Sequence, residues 1–220
     1  MGERGFGRTG VASRIACVVL AFAPAAAAGQ SVVWGVRAGV VASTPLAEDR
    51  VANPELAAAL GGGLGPVRAV PAPAFHFEVG GAVPMRPRTV LELAVGWTMA
   101  GIDAKDDAGT RPLQDVGVGH ATVSVHYLAT RRVDGGCGIG LIRYFAESRA
   151  LFASGTEISP LLECAGRAGV IGDSGRRLVL RIAGQMHRFR TPVLADAGAR
   201  TGTVFRLAVQ AGVELGGTRR

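Results

Sequence analysis

From residue 32 onward, apolar and polar side chains alternate along the chain in repeated short runs. In the most regular run, Phe205, Leu207 and Val209 occupy odd-numbered positions, whereas Arg206 and Gln210 occupy even-numbered ones. We call the two sets of alternate positions in a run its apolar parity and its polar parity. Successive side chains of a β-strand point to opposite faces, so this period predicts strands with one apolar face. Eight such runs can be drawn, over residues 32–41, 74–83, 89–99, 116–127, 136–145, 156–170, 177–189 and 203–215.

The connections between these runs alternate between long and short. Residues 42–73, 100–115, 146–155 and 190–202 form the longer ones, which we expect to be loops, and short turns join the remaining runs. Transmembrane barrels combine short turns at one rim with longer loops at the other, and their strands are about 10 residues long. We therefore predict an all-β fold, an eight-stranded antiparallel up-and-down transmembrane β-barrel. A soluble β-fold that buries the same apolar faces internally is the alternative.

One helix signal interrupts the β pattern, in the first long connection. Asn53 suits an N-cap, and Pro54 suits the first helical position. A short helix is expected to run from there to Leu60, before three glycines.

The N-terminal residues 1–28 have the features of a secretory signal peptide. Arg4, Arg8 and Arg14 precede an apolar stretch from Ile15, and small residues follow it. We predict cleavage near Ala28, which leaves residues 29–220 as one outer-membrane barrel domain.

Composition sharpens this picture. The chain of 220 residues is 48% hydrophobic and 19% charged, with a formal net charge of +7. After the signal peptide, no stretch supplies the roughly 20 continuous apolar residues of a membrane helix. The basic residues are scattered and no aromatics interleave them, which argues against nucleic acid as a partner.

Charged residues on the polar parity are expected to pair inside the barrel, because buried charges are tolerated only when they are paired. One predicted group contains Glu163, Arg167, Arg181 and Glu214. Glu78 and Glu92 are expected on another wall of the same lumen. Together these six residues form the predicted lumen charge cluster.

The pattern over residues 32–215 resembles the small eight-stranded outer-membrane β-barrel proteins of Gram-negative-type bacteria, the OmpX, OmpA-barrel and OmpW-like group. The resemblance implies outer-membrane lipid as the surroundings and the barrel-assembly machinery as a partner. Members of this group usually end in an aromatic residue, whereas residues 213–220 contain none. The candidate aromatic residues for the membrane rims are Trp34, Trp97, Tyr127, Tyr144 and Phe205.

Two cysteines remain after the signal peptide, Cys137 and Cys164, and an even pair in an exported protein indicates a disulfide. If their two runs form a hairpin centred near residue 150, the cysteines lie opposite each other within bridging distance. Two free thiols are the alternative.

Catalytic and metal motifs are not found in the sequence. The four histidines, at positions 76, 120, 126 and 187, all fall on the polar parity without a metal-binding spacing. We expect them to be hydrogen-bonded lumen residues; a lumen metal or proton site is the alternative. We predict no enzyme activity and no cofactor.

These observations favour a structural or surface-interaction role in the cell outer membrane, with the long loops available to a surface ligand. The alternatives are a soluble periplasmic or secreted β-barrel that binds a small apolar ligand, and a narrow channel for small hydrophobic compounds. An eight-stranded barrel is mostly filled by its own side chains, so a wide diffusion pore is not expected.

Overall fold

The structure, a computed structural model, describes residues 32–48, 68–107, 109–146, 158–172, 175–189 and 202–216. The predicted signal peptide and the predicted helix near Asn53 lie outside these residues. Within the described ranges, no helix has the length and hydropathy needed to cross a membrane.

Ten strands form one antiparallel sheet. They are β1 (Val33–Ser43), β2 (Ala47–Glu48), β3 (Arg68–Pro71), β4 (Ala74–Arg86), β5 (Thr89–Asp106), β6 (Gly109–Leu128), β7 (Val133–Ala146), β8 (Ser159–Gly172), β9 (Arg176–Arg188) and β10 (Thr203–Leu215). Each of the eight long strands corresponds to one of the eight alternating runs.

The eight long strands close into a ring. β1 pairs with β10 on one side and with β4 on the other, and the pairing of β5 with β6 completes the circle. The first and last strands meet in continuous register, from Trp34 opposite Leu215 to Ser43 opposite Arg206. Closure satisfies the backbone hydrogen bonds of every long strand, as a sheet surrounded by lipid requires. The predicted eight-stranded barrel is confirmed.

The apolar parity faces outward and the polar parity faces the lumen. Phe75 and Ile139 are 64% and 69% exposed on the outer surface, whereas Glu78 and Arg181 are 0% and 1% exposed inside. A soluble barrel has the opposite arrangement, with apolar side chains inside and polar ones in water. The outer surface is therefore that of a barrel surrounded by lipid.

The expected loop over residues 100–115 is wrong. β5 continues to Asp106 and β6 begins at Gly109, so this segment is the far end of one long hairpin. The short strands β3 and β2 extend the sheet from the edge of β5. Ile102 and Ala104 are fully buried there, which explains why a segment with several charges is still ordered as strand.

The prediction is also wrong for one of the five expected rim aromatics. Tyr144 is 3% exposed, and its hydroxyl lies 2.9 Å from His187 Nε2 inside the lumen. Tyr144 has the parity of the buried Ile142, not of the outward-facing Leu141. The other four aromatics, Trp34, Trp97, Tyr127 and Phe205, have the outward parity of their strands.

Candidate functional site in the lumen

The centre of the lumen is held by Glu92, a buried residue of β5. Its Oε1 accepts a hydrogen bond of 2.5 Å from Arg37 Nη2 on β1. Its Oε2 lies 2.5 Å from Arg167 Nη1 on β8. One carboxylate therefore joins two arginines from different walls of the ring.

A second branch is centred on Arg181 of β9. Its Nη2 donates to Glu163 Oε1 at 2.6 Å, and its Nη1 donates to Gln210 Oε1 at 2.9 Å. The same Nη1 lies 3.5 Å from Glu78 Oε2 on β4. Glu78 is in turn 3.0 Å from Arg37 Nε, which links this branch to the centre.

A third branch runs toward the rim that carries the short turns. Arg167 contacts Asp134 at 2.9 Å and Glu214 at 3.1 Å, and Arg177 contacts Glu214 at 2.6 Å. The buried set of the described residues contains four arginines and five carboxylates, and the half-buried Arg177 adds a fifth positive charge. The arginines and carboxylates of this set are therefore equal in number, and their formal charges balance.

The structure brings all six residues of the predicted lumen charge cluster into this single network. It differs from the prediction in placing Glu92 against Arg167 and Glu78 against Arg181 of the other group. Arg37 joins the two glutamates to each other. Sequence reasoning left Arg37, Asp134 and Arg177 out of the cluster. Their signal was present, because each occupies the polar parity of its own strand.

The two cysteines lie outside the lumen and are bonded. Cys137 of β7 is directly opposite Cys164 of β8, with a Cα–Cα distance of 4.0 Å. Both side chains are on the outward face of the hairpin. The predicted disulfide is confirmed.

All four histidines are buried in the lumen. His187 contacts Tyr144. His76 and His120 stack on each other beside Glu78, with ring centroids 5.3 Å apart. Sequence spacing could not reveal this last grouping, because His120 is on a different strand from His76 and Glu78.

The remaining histidine belongs to a serine–histidine–aspartate chain. Ser124 Oγ lies 3.0 Å from His126 Nε2, and His126 Nδ1 lies 3.0 Å from Asp134 Oδ1. This is the order of nucleophile, base and orienting acid in hydrolases. However, Ser124 is 4% exposed and the charge of Asp134 is shared with Arg167. The chain therefore has the contacts of a catalytic triad but a serine that is closed off by its surroundings.

Apolar side chains fill the lumen beyond the histidines, on the side of the long connections. They include Val41, Ile102, Val116, Phe189 and Val204. A cavity of about 10 Å³, the size of one water, lies here between the apolar side chains and the polar layer below. The lumen is therefore layered along the barrel axis. Apolar side chains fill the end near the long connections, which we call the apolar outer part, and charged side chains follow toward the short turns.

No family model matches the sequence, and no curated protein matches it significantly. Among solved structures, the outer membrane protein OprG from Pseudomonas aeruginosa is similar, with a TM-score of 0.54 and 13% identity over 85% of this chain and 96% of that one. Neisserial surface protein A (NspA) has a TM-score of 0.50 and 14% identity, over 84% of this chain and 96% of that one. The likeness concerns the fold, and it agrees with the closed ring and the apolar exterior. The chain has the fold of the small eight-stranded outer-membrane β-barrel proteins.

Proposed function

We propose that this chain is an integral outer-membrane protein with a structural or surface-interaction role, and that it is not an enzyme. In this proposal residues 1–28 are a cleaved signal peptide, and the barrel-assembly machinery inserts residues 29–220. The start of β1, the end of β10 and the short turns face the periplasm. The long connections lie on the extracellular side, where a surface ligand can reach them.

The observation that carries the proposal is the ion-pair network across the lumen. Arg181 on β9 contacts Glu78 on β4, and Glu92 on β5 contacts Arg167 on β8. Side chains that meet across an eight-stranded ring fill its narrow interior at that level. A barrel closed in this way supports the membrane and presents its loops, and it does not admit solutes by diffusion.

Conductance in planar bilayers tests the closed lumen. The wild-type barrel should show no discrete openings. The double variant Glu92→Ala/Arg167→Ala, which removes two long side chains from the centre, should raise the conductance. A heat-dependent shift in gel mobility verifies that both proteins are folded. Discrete openings of the wild type would overturn the proposal of a closed barrel.

The non-enzymatic part of the proposal is tested at Ser124. A fluorophosphonate probe labels serines that are activated by a histidine. We expect no labelling of the folded wild type, because the serine is buried beside a salt-bridged aspartate. Labelling that disappears in Ser124→Ala would show that the triad is active.

A second candidate is a narrow channel for small hydrophobic compounds, and the apolar outer part of the lumen favours it. That part ends at Arg206, which donates hydrogen bonds to Thr98 and Gln185. A channel would therefore have to release its solute above this layer or displace the layer. Binding of N-phenyl-1-naphthylamine, a small apolar fluorophore, to the wild type but not to Val116→Asp would support this candidate.

A further inference from the structure

Three polar residues meet on one wall of the lumen because a glycine lies between them. Glu78 on β4 is directly opposite Gly96 on β5, and Gly96 is directly opposite His120 on β6. His76 precedes Glu78 by two residues and shares its face. Since Gly96 has no side chain, the groups of β4 and β6 can approach each other across β5.

The space above Gly96 is fully used by the two imidazole rings. A Cβ at Gly96 would lie 2.2 Å from His120 Cε1 and 2.8 Å from His76 Cε1. The rings stack at an interplanar angle of 16°. Both rings therefore present an edge to the same carboxylate.

The distances in this group are too long for good hydrogen bonds. Glu78 Oε2 lies 3.7 Å from His76 Nε2 and 3.5 Å from His120 Nε2. Hydrogen bonds between such atoms are about 2.7–3.2 Å. In contrast, two ligands of one tetrahedral ion are about 3.4 Å apart when each bond is about 2.0–2.1 Å. All three donor atoms lie within 4.8 Å of one another.

One donor has no other partner within the described part of the chain. His76 Nε2 is buried without a hydrogen bond. Its other ring nitrogen, Nδ1, lies 2.8 Å from the Thr98 hydroxyl. When Nδ1 donates to that hydroxyl, Nε2 carries a free lone pair directed at the group. A hydrogen bond on the second nitrogen also orients histidines that bind metals.

Two arginines contact the Glu78 carboxylate, but neither prevents Oε2 from binding an ion. Arg37 contacts Oε1, which leaves Oε2 for another partner. Arg181 is 3.5 Å from Oε2 and has closer partners in Glu163 at 2.6 Å and Gln210 at 2.9 Å. Arg181 can therefore give up this weak contact without becoming an unpaired buried charge.

We propose that His76, Glu78 and His120 form a binding site for a divalent transition metal ion. Two imidazoles and one carboxylate are a ligand set that suits Zn²⁺, and in protein sites a water completes the tetrahedron. Both histidines also make the hydrogen bonds expected of lumen residues, His76 Nδ1 with Thr98 at 2.8 Å and His120 Nε2 with Gln185 Nε2 at 3.3 Å; an ion bound at His120 Nε2 would take the place of the second contact. The site does not depend on a closed lumen, because the same three residues line either a closed barrel or a channel.

Zinc titration of the refolded, untagged barrel in detergent tests the site, with a chromogenic chelator as competitor. The wild type should bind one equivalent of Zn²⁺. His76→Gln and His120→Gln should each weaken the affinity at least tenfold. His187→Gln is the matched control, because His187 is a lumen histidine that bonds Tyr144 outside the group. Its affinity should stay within threefold of the wild type.

A second measurement needs no variant. Electron paramagnetic resonance of the wild type loaded with one equivalent of Cu²⁺ should show coupling to imidazole nitrogens. Gel mobility with and without heating verifies folding of each variant. The proposal is overturned if the wild type binds no stoichiometric Zn²⁺, if both glutamine variants bind as tightly as the wild type, or if the Cu²⁺ spectrum lacks nitrogen coupling.

Discussion

Replacing Glu92 with Gln should destabilise the barrel by removing one charge from the balanced lumen. Glu92 contacts Arg37 and Arg167, each at 2.5 Å. Removing one partner of a buried ion pair typically costs about 3–5 kcal/mol. Arg37 keeps Glu78, and Arg167 keeps Asp134. We therefore expect the low end of that range, about 3 kcal/mol.

Urea unfolding of the barrel in lipid vesicles measures this effect, with the heat-dependent gel shift as the readout of the folded fraction. For a slope of about 1–3 kcal/mol per M, the midpoint should fall by roughly 1–3 M. Asp103→Asn is the control, because Asp103 is on the same strand in the hairpin extension, away from the lumen network. It should change the stability by less than about 0.5 kcal/mol.

A double-variant cycle separates the ion pair from general damage to the lumen. Arg37→Gln/Glu92→Gln restores the charge balance, so its cost should be smaller than the sum of the two single costs by about 0.5–3 kcal/mol. Additive costs, or a Glu92→Gln midpoint equal to that of the wild type, would refute the claim that the charge of Glu92 stabilises the barrel through its ion pairs.

Three further outcomes are expected. Peptide mass spectrometry without reduction should find Cys137 linked to Cys164, and reduction should cost up to about 3–4 kcal/mol for a loop of 27 residues; free thiols at both positions would contradict this. Gly138→Ala should cost about 1–3 kcal/mol in urea unfolding, because its Cβ would lie 2.2 Å from the carbonyl oxygen of the facing strand, whereas Gly166→Ala meets its nearest atom at 3.9 Å and should be neutral. Ile139→Arg, at the middle of the outer surface of β7, should cost about 2–4 kcal/mol in vesicles, and Ile139→Leu should cost little; equal midpoints would argue against lipid at this position.

The strands were predictable because the alternation of side chains is a local property. The outward-facing residues Phe205, Leu207 and Val209 can be identified from the sequence of their own strand, without information about any partner strand. The same rule places Tyr144 inside, and its assignment to a rim followed residue type instead of parity. The hairpin beyond residue 100 was missed because Asp103 and Lys105 resemble loop residues, although they alternate with buried side chains.

The pairing inside the lumen could not be predicted in the same way. Which charges meet depends on the tilt and stagger of all eight strands, and the period of one strand contains no information about them. The disulfide was predictable because a hairpin sets its own register from the position of its turn. The contact of Glu78 with His120 requires the register of three strands and the missing side chain of Gly96 between them.

The contact between Arg181 and Glu78 has a consequence for how such a barrel can change over evolution. β9 and β4 are separated in the ring by β10 and β1, so this pair measures the width of the lumen. The diameter of a barrel grows with its number of strands, and a ring enlarged by one duplicated hairpin would draw the two residues apart. Arg181 would keep Glu163 and Gln210, and Glu78 would keep Arg37, so the enlarged ring would lose the contact that spans the lumen while both charges stayed paired. Growth by hairpin duplication would therefore leave a gap in the lumen at this level, which longer or additional side chains would have to fill.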